Sequence, residues 1–103
     1  MNIDAKALDM CLDWFGKNEA ERGFSKDIVK LISKEDIGEY HRRVYLVAYT
    51  DRNDSNGVYI IRIFGEGDSL SLSQDYEYTT SSPNMSFKQV VSLIEQILNN
   101  IKS

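Results

Sequence analysis

The residues best suited to catalysis are too few to form a familiar catalytic group. The chain of 103 residues has one histidine, His41, and one cysteine, Cys11. A Ser or Cys nucleophile needs a base within hydrogen-bond reach, and the sequence gives no sign of such a pair. Cys11 falls on the apolar stripe of a predicted helix, where a small buried side chain is expected. One Cys and one His also supply neither an internal disulfide nor the usual zinc ligands.

The polar loop 51–57 has oxygen-bearing side chains at its first, third and fifth positions, as a calcium loop would. The sixth position holds Asn56 where calcium loops turn on glycine, and the twelfth holds Arg62 where a bidentate Glu is required. The same residue types are common in hairpin loops. We therefore expect no metal at this loop.

Two further motifs of enzymes fail for similar reasons. Gly65-Glu66-Gly67 matches the start of a dinucleotide-binding turn, but Leu70 stands in place of the third glycine and no helical pattern follows. Paired carboxylates for glycoside hydrolysis need a buried acid of raised pKa, and the acids here fall on loops and polar strand faces. The sequence therefore predicts a protein that is not an enzyme and has no cofactor.

The charge of the chain disfavours nucleic-acid binding. Twelve basic and sixteen acidic side chains give a net charge of −4. Arg42, Arg43 and Arg62 are interleaved with Tyr45 and Tyr49, a mixture that can neutralise phosphates and stack bases. No lysine cluster extends this set, and an acidic protein is repelled by phosphates. An acidic surface instead favours association with a protein that has a basic surface.

An acidic segment, residues 66–82, contains no Lys or Arg. Within it, acids alternate with tyrosines along a predicted outer strand. Such a strip suits a basic partner, although charge on an edge strand is also ordinary protection against aggregation. This acidic edge is the first predicted partner-binding site, and its residues are Asp68, Asp75, Tyr76, Glu77 and Tyr78, with Asp51 and Asp54 as further contacts.

Two strand-like runs, 40–50 and 57–65, carry bulky apolar residues on both alternating faces. The second face is therefore either covered within the chain or reserved for another molecule. Pairing Ala48 with Tyr59 collects the cleanest aliphatic residues on one face. The other face is the second predicted site, for a partner or a second copy of the chain, and consists of Tyr45, Val47, Tyr49, Val58, Ile60, Arg62 and Phe64. The alternative is that a helix packs on each face and makes these residues core.

Two amphipathic helices are predicted to pack on the sheet. At the C-terminal end, Ser86 and Gln89 form a capping box, which predicts a helix beginning near Phe87. Its apolar stripe consists of Phe87, Val90, Val91, Ile94, Ile97, Leu98 and Ile101. The N-terminal helix ends either at Gly16 or at Gly23, since either glycine can provide a left-handed cap. Its stripe consists of Ile3, Ala7, Leu8, Cys11, Leu12 and Phe15.

The run Asp27 to Ser33 suits a strand or a short helix, because periodicity does not separate the two over so few residues. We interpret it as a strand, and the alternating run Leu70 to Tyr78 as an outer strand. The predicted fold class is α+β, in a single domain over residues 1–103. It has an antiparallel sheet of three to four strands with an N-terminal and a C-terminal helix packed on it, in the order α-β-β-β-β-α.

These features lead to one expected function and one alternative. We expect a small acidic protein-binding module, an inhibitor or immunity-type protein that occludes a basic surface of a partner. The alternative is a homodimeric chaperone-like or adaptor module that uses the apolar sheet face. No segment is apolar enough to span a membrane, and the first ten residues lack a basic stretch followed by an apolar one. We therefore expect the protein to reside in the cytoplasm.

Overall fold

One helix and a four-stranded antiparallel sheet make up the described fold. The computed structural model describes residues 2–23, 25–50, 52 and 56–80, together with Ser92 and Gln96. In chain order the elements are α1 (Ile3–Arg22), β1 (Ser25–Ile37), β2 (Tyr40–Thr50), β3 (Asn56–Glu66) and β4 (Ser69–Thr80). The strands lie in the order β1-β2-β3-β4, so each pairs with its neighbour in sequence. The predicted α+β class and four strands are confirmed, whereas the predicted C-terminal helix lies outside the described residues, apart from Ser92 and Gln96.

Polar groups at both ends define the limits of α1. At the start, the Asn2 side chain accepts a hydrogen bond from the Ala5 amide at 3.2 Å, which satisfies one of the free N–H groups of the first turn. At the end, Gly23 adopts a left-handed φ of 69°, and its N–H donates to the Glu19 carbonyl at 3.1 Å. Of the two predicted ends, Gly23 is therefore the right one, and Gly16 lies inside the helix.

One face of the sheet packs against α1. The helix contributes Ala7, Cys11 and Phe15, each at most 1% exposed, and the half-buried Met10 and Trp14 lie beside them. The predicted helix stripe was wrong at Leu8, which is 39% exposed because the helix is turned so that the Met10 and Trp14 side faces the sheet. The sheet residues buried in this cluster are Tyr45, Val47, Tyr49, Tyr59, Ile61 and Ile63.

The pairing of β2 with β3 differs by one residue from the predicted register. Ala48 pairs with Val58, not with Tyr59, and Val47 pairs with Tyr59. Because side chains alternate along a strand, a shift of one residue places each side chain of β3 on the same face as the other set of β2 side chains. The face away from α1 therefore combines the even-numbered residues of both strands. We call it the second face, and its buried apolar members are Val44, Leu46, Ala48, Val58 and Ile60.

A glycine opposite Tyr49 makes room for the aromatic pair of the core. Gly57 pairs with Tyr49, and a Cβ atom at Gly57 would lie 2.3 Å from the Cζ of that ring. Tyr49 stacks on Tyr59 at 5.0 Å between centroids, and Trp14 meets Tyr59 edge-on at 4.8 Å. The ring of Tyr49 is 2% exposed, so it has little space into which it could move.

Two identical Gly-to-Ala changes should therefore have opposite effects on stability. Gly16 is an exposed helix residue with no heavy atom within 4 Å of an added Cβ, so Gly16→Ala should raise the free energy of unfolding by about 0.5 to 1 kcal/mol. Gly57→Ala should lower it by about 1 to 3 kcal/mol, because the methyl group overlaps Tyr49. Urea denaturation of both variants tests this packing, and a Gly57→Ala protein as stable as wild type would contradict it.

Candidate partner-binding site

The predicted acidic edge does not form one strip, because β4 is interrupted by a bulge. Ile60 pairs with Tyr76 and Ile61 with Gln74, so Asp75 has no partner residue on β3. Asp75 lies on the second face, with its Oδ1 accepting from Ser73 Oγ at 2.8 Å and its Oδ2 lying 3.1 Å from Arg62 Nε. This last contact is an ion pair without hydrogen-bond geometry, since the buried Nε of Arg62 has no hydrogen-bond acceptor among the described residues.

Glu77 belongs to the α1 face, where it accepts hydrogen bonds from two buried tyrosines. It pairs with Tyr59 across the strands. The Tyr59 hydroxyl donates to Glu77 Oε1 at 2.8 Å, and the Tyr49 hydroxyl donates to the same oxygen at 3.3 Å. The carboxylate thus satisfies hydroxyl groups that would otherwise be costly to bury. Asp75 and Glu77 lie on different faces, and each has a structural role.

The remaining members of the predicted edge lie apart from these two acids. Asp68 is exposed in the turn between β3 and β4, and its main-chain carbonyl accepts a hydrogen bond from Lys6 Nζ. Tyr76 and Tyr78 stand opposite Ile60 and Val58 in the strand register. Their side chains lie outside the described set, as do the residues Asp51 and Asp54.

The predicted sheet-face site is divided between the two faces of the sheet. Its β2 members lie on the α1 face and its β3 members on the second face, because of the register difference. Five of its seven residues are at most 4% exposed, so they are core: Tyr45, Val47, Tyr49, Val58 and Ile60. Arg62 and Phe64 remain half-buried, with the guanidinium carbon of Arg62 4.5 Å from the centroid of the Phe64 ring. These residues therefore do not form one surface that a partner could contact.

The arginines also do not form a basic patch. Arg43 lies on the α1 face, whereas Arg42 and Arg62 lie on the second face in adjacent rows of the sheet. Arg42 pairs with Glu35, and Arg62 pairs with Asp75. Both arginines of the second face are thus close to a carboxylate, which leaves them little attraction for phosphates.

Arg43 is the centre of an ion-pair network that links α1 to the sheet. Its side chain is 3% exposed. Its Nε donates to Asp4 Oδ1 at 2.7 Å, and its Nη1 and Nη2 donate to the two Asp36 oxygens at 2.9 and 3.2 Å. Lys34 adds a 3.1 Å contact to Asp4, and His41 Nδ1 lies 2.6 Å from Asp36 Oδ1. The network fixes the start of α1 beside the end of β1.

The two carboxylates of the network ionise more readily than usual. Hydrogen bonds from Arg43 and then from His41 lower the pKa of Asp36 from 3.8 to about 2. Hydrogen bonds from Arg43 and then from Lys34 lower the pKa of Asp4. In both cases the charged form of the carboxylate is stabilised by the folded structure.

Three exposed acids lie where two hairpin turns come together. Gly67 donates its N–H to the Glu39 carbonyl at 2.8 Å, which joins the β1–β2 turn to the β3–β4 turn. In the described part of the chain, the exposed carboxylates of Glu39, Glu66 and Asp68 have no ion pair. Ile37 is 63% exposed and belongs to the same row of the sheet as Glu66, with Tyr40 between them. We call Ile37, Glu39, Glu66 and Asp68 the turn end.

Sequence reasoning identified only Asp68 of this group. The sequence analysis did not select Ile37 or Glu39. The glycine between them, Gly38, was a sequence signal of a turn between two strands, and in the structure it adopts a left-handed φ of 58°. The contact of this turn with the β3–β4 turn had no local signal. It joins residues 28 positions apart, and it follows from the lengths of β2 and β3.

Comparison of the chain with family models, curated proteins and solved structures finds no match. The described residues contain no group of three or more His, Cys, Asp or Glu side chains that could hold a metal ion. Among the described helices, none has both the length and the apolar character needed to cross a bilayer. The geometry of the described residues is therefore the evidence on which a function can be proposed.

The ion-pair network predicts a specific loss of stability in acid. Since the pKa of Asp36 is lower in the folded chain than in the unfolded one, its contribution is complete above about pH 4 and disappears as the pH falls toward 2. Asp36→Asn should be less stable than wild type at neutral pH, and its stability should change less between pH 4 and pH 2. Urea denaturation at several pH values measures both effects.

Asp13→Asn is the control for this experiment, because Asp13 is an exposed carboxylate of α1 away from the network. It should keep the acid dependence of the wild-type protein. The network would be ruled out as the source of the acid sensitivity if Asp36→Asn lost stability with an unchanged pH profile.

Proposed function

We propose that this protein binds another protein through the turn end and acts by covering a basic surface of that partner. The observation that carries the proposal is the junction of the two turns by the Gly67–Glu39 hydrogen bond, which gathers three exposed carboxylates beside an exposed isoleucine. In this inhibitor or immunity-type function the protein performs no chemistry. It prevents access to the surface that it covers.

The distribution of charge supports the turn end as the binding surface. The carboxylates of Asp4, Asp36 and Asp75 already face cations of the same chain. Those of Glu39, Glu66 and Asp68 form no ion pair with the described residues, and the nearby Lys6 Nζ donates to the main-chain carbonyl of Asp68, so these carboxylates remain open to solvent. Complementary charge raises the rate of encounter with a basic partner and disfavours acidic ones.

Ile37 supplies the apolar part of the proposed contact. The Ile37 side chain is 63% exposed, and a partner that covered it would remove apolar surface from water, which favours binding. Interfaces commonly have an apolar centre with charged residues at the rim, and the turn end has this composition on a small scale. Ile37 is therefore the residue whose truncation should weaken binding without changing the charge.

The alternative function, a homodimeric chaperone-like module, required an accessible apolar sheet face. Tyr45, Val47 and Ile60 are 4%, 0% and 0% exposed, so the single chain already buries the side chains that would bind a client or a second copy. The proposal therefore does not include this alternative.

A capture experiment with charge-matched variants tests the proposal. The immobilised protein is incubated with a lysate of the cells that produce it, and retained proteins are quantified by mass spectrometry. In the test variant, Glu39→Gln, Glu66→Gln and Asp68→Asn change the net charge from −4 to −1. It should lose a basic protein that wild type retains. Wild-type recovery of that protein should fall by at least about tenfold between about 0.1 M and 1 M salt, where the Debye length shrinks from about 10 Å to about 3 Å.

The control variant removes the same charge from α1, through Asp9→Asn, Asp13→Asn and Glu19→Gln, all at exposed positions. It should retain the partner as wild type does. Ile37→Ala should also reduce recovery, at unchanged charge. Equal recovery with the turn-end and helix variants would refute the turn end as the binding surface, and recovery independent of salt would refute the basic partner.

A further inference from the structure

The exposed apolar side chains of the described residues lie along one edge of the sheet. The large apolar residues that remain exposed are Leu8, Leu31 and Ile37, at 39%, 42% and 63%. Leu31 and Ile37 belong to β1, whose one neighbour among the described strands is β2. At the opposite edge of the sheet, Leu70 and Leu72 of β4 are half-buried and pack against the core. The edge formed by β1 is therefore the one that still has apolar surface to cover.

Leu8 of α1 lies at the same level of the sheet as Leu31 of β1. The Asp4 carboxylate contacts Lys34 Nζ at 3.1 Å, which places the first turn of α1 at the Lys34 row. Leu8 follows Asp4 by about 6 Å along the helix, and Leu31 belongs to the next row of the same sheet face, about 7 Å along the strand. Both steps lead away from the turn end, because α1 begins beside it and β1 ends there. The two leucines therefore stand side by side, one on the helix and one on the edge strand.

The two exposed apolar residues of β1 lie on opposite faces of the sheet. Leu31 pairs with Tyr45 of the α1 face, whereas Ile37 pairs with Tyr40 of the second face. A helix docked on one face would contact only one of them. An extended segment beside β1 would contact both, because its side chains alternate between the two faces as those of β1 do. Residues 33–37 pair with β2 without a bulge, so the outward main-chain groups of this stretch have the regular spacing that another strand requires.

The charges along β1 favour a segment that is basic at one end only. Lys34 contacts Asp4, and Asp36 contacts Arg43, so these side chains are already paired. The open carboxylates of the turn end lie beyond the last residue of β1, whereas Lys30 is exposed in the other direction along the strand. Basic side chains of a bound segment are therefore attracted beside the turn end and repelled near Lys30.

We propose that the basic partner contributes an extended segment that pairs with β1 as an additional strand of the sheet. This inference rests on the proposed function, and it extends the contact from Ile37 of the turn end along the edge to Leu31 and Leu8. The added strand runs antiparallel to β1, as all paired strands of the described sheet do. Since β1 ends at the turn end, the segment has its basic residues first and alternating apolar residues after them. Main-chain hydrogen bonds provide affinity, and the side chains on the two faces provide selectivity.

A synthetic peptide tests the direction of the added strand. The probe is a run of lysines followed by alternating valine and threonine, and the control peptide has the same residues in reverse order. Fluorescence anisotropy of the labelled peptides measures binding. The protein should bind the probe at least about tenfold more tightly than the control, because antiparallel pairing of the reversed peptide places its lysines near Lys30 and away from the turn end.

Two N-methylated forms of the probe distinguish an added strand from any other bound conformation. One form has N-methyl groups on its valines and the other has them on its threonines. In an added strand, only one of these two sets of N–H groups points toward β1. One form should therefore lose at least about tenfold in affinity, and the other should bind within about threefold of the unmodified probe.

Variants of the protein test whether the peptide binds at the β1 edge. Leu31→Thr removes apolar surface at an exposed position and keeps a side chain that suits a strand, so it should weaken probe binding at least about fivefold. Leu8→Ala should also weaken binding, and alanine preserves the helix. Gln74→Thr is the matched control, because Gln74 is exposed in the same row of the sheet at the β4 edge. It should bind the probe as wild type does.

The proposal is overturned if wild type binds neither peptide, if the reversed peptide binds as tightly as the probe, if the two methylated forms bind alike, or if Gln74→Thr weakens binding as much as Leu31→Thr does. Light scattering should show a monomer, since a dimer that Leu31→Thr disrupts would assign the edge to a second copy of the chain and overturn the proposal as well.

The lysate capture separates this inference from the proposed function. If Leu31→Thr retains the captured basic protein and the turn-end variant loses it, the added strand is refuted and the proposed function stands. If the turn-end variant retains that protein, the proposed function is itself refuted, whatever the peptides show.

Discussion

The central strands of this protein have apolar side chains on both faces, and this property constrains the rest of the fold. A sheet with two apolar faces is stable in water only when both are covered. α1 covers the face of Tyr45, Val47 and Tyr59, and the burial of Leu46 and Ile60 means that the other face is covered as well. The apolar side chains of both faces of β2 and β3 are thus part of the core, so the candidate binding surface consists mainly of charged residues.

Some of the acidic side chains are partners of polar groups at the border of the core. The buried guanidinium of Arg43 needs two carboxylates, and the hydroxyls of Tyr49 and Tyr59 need a third at Glu77. A buried charge or hydroxyl without such a partner would be strongly destabilising. The acidity of the chain is therefore partly structural, whereas the acids of the turn end, like Asp9, Asp13 and Glu19 of α1, have no ion pair among the described residues.

The sequence located the strands well and their register poorly, for one physical reason. Alternation placed β2, β3 and β4 nearly at their observed limits and indicated a strand within β1. Alternation fixes register only when one face is polar, because a slip of one residue then exposes apolar side chains. Here both faces are apolar, so the pairing of Ala48 with Tyr59, chosen because it collects the aliphatic residues on one face, was wrong by one residue. The acidic edge failed in a related way, since the bulge at Asp75 separates residues that alternation alone had placed together.

What the sequence determined by itself is the class of the protein: an amphipathic N-terminal helix that ends at Gly16 or Gly23, a sheet of three to four strands, the acidic charge and the shortage of catalytic residues. These follow from local spacing and composition, which act over a few neighbouring residues. Only the tertiary structure decided which tyrosines are core, which carboxylates are paired and which turns meet. Those outcomes depend on strand register and on contacts such as Gly67 with Glu39, and contacts between residues distant in sequence have no periodic signal.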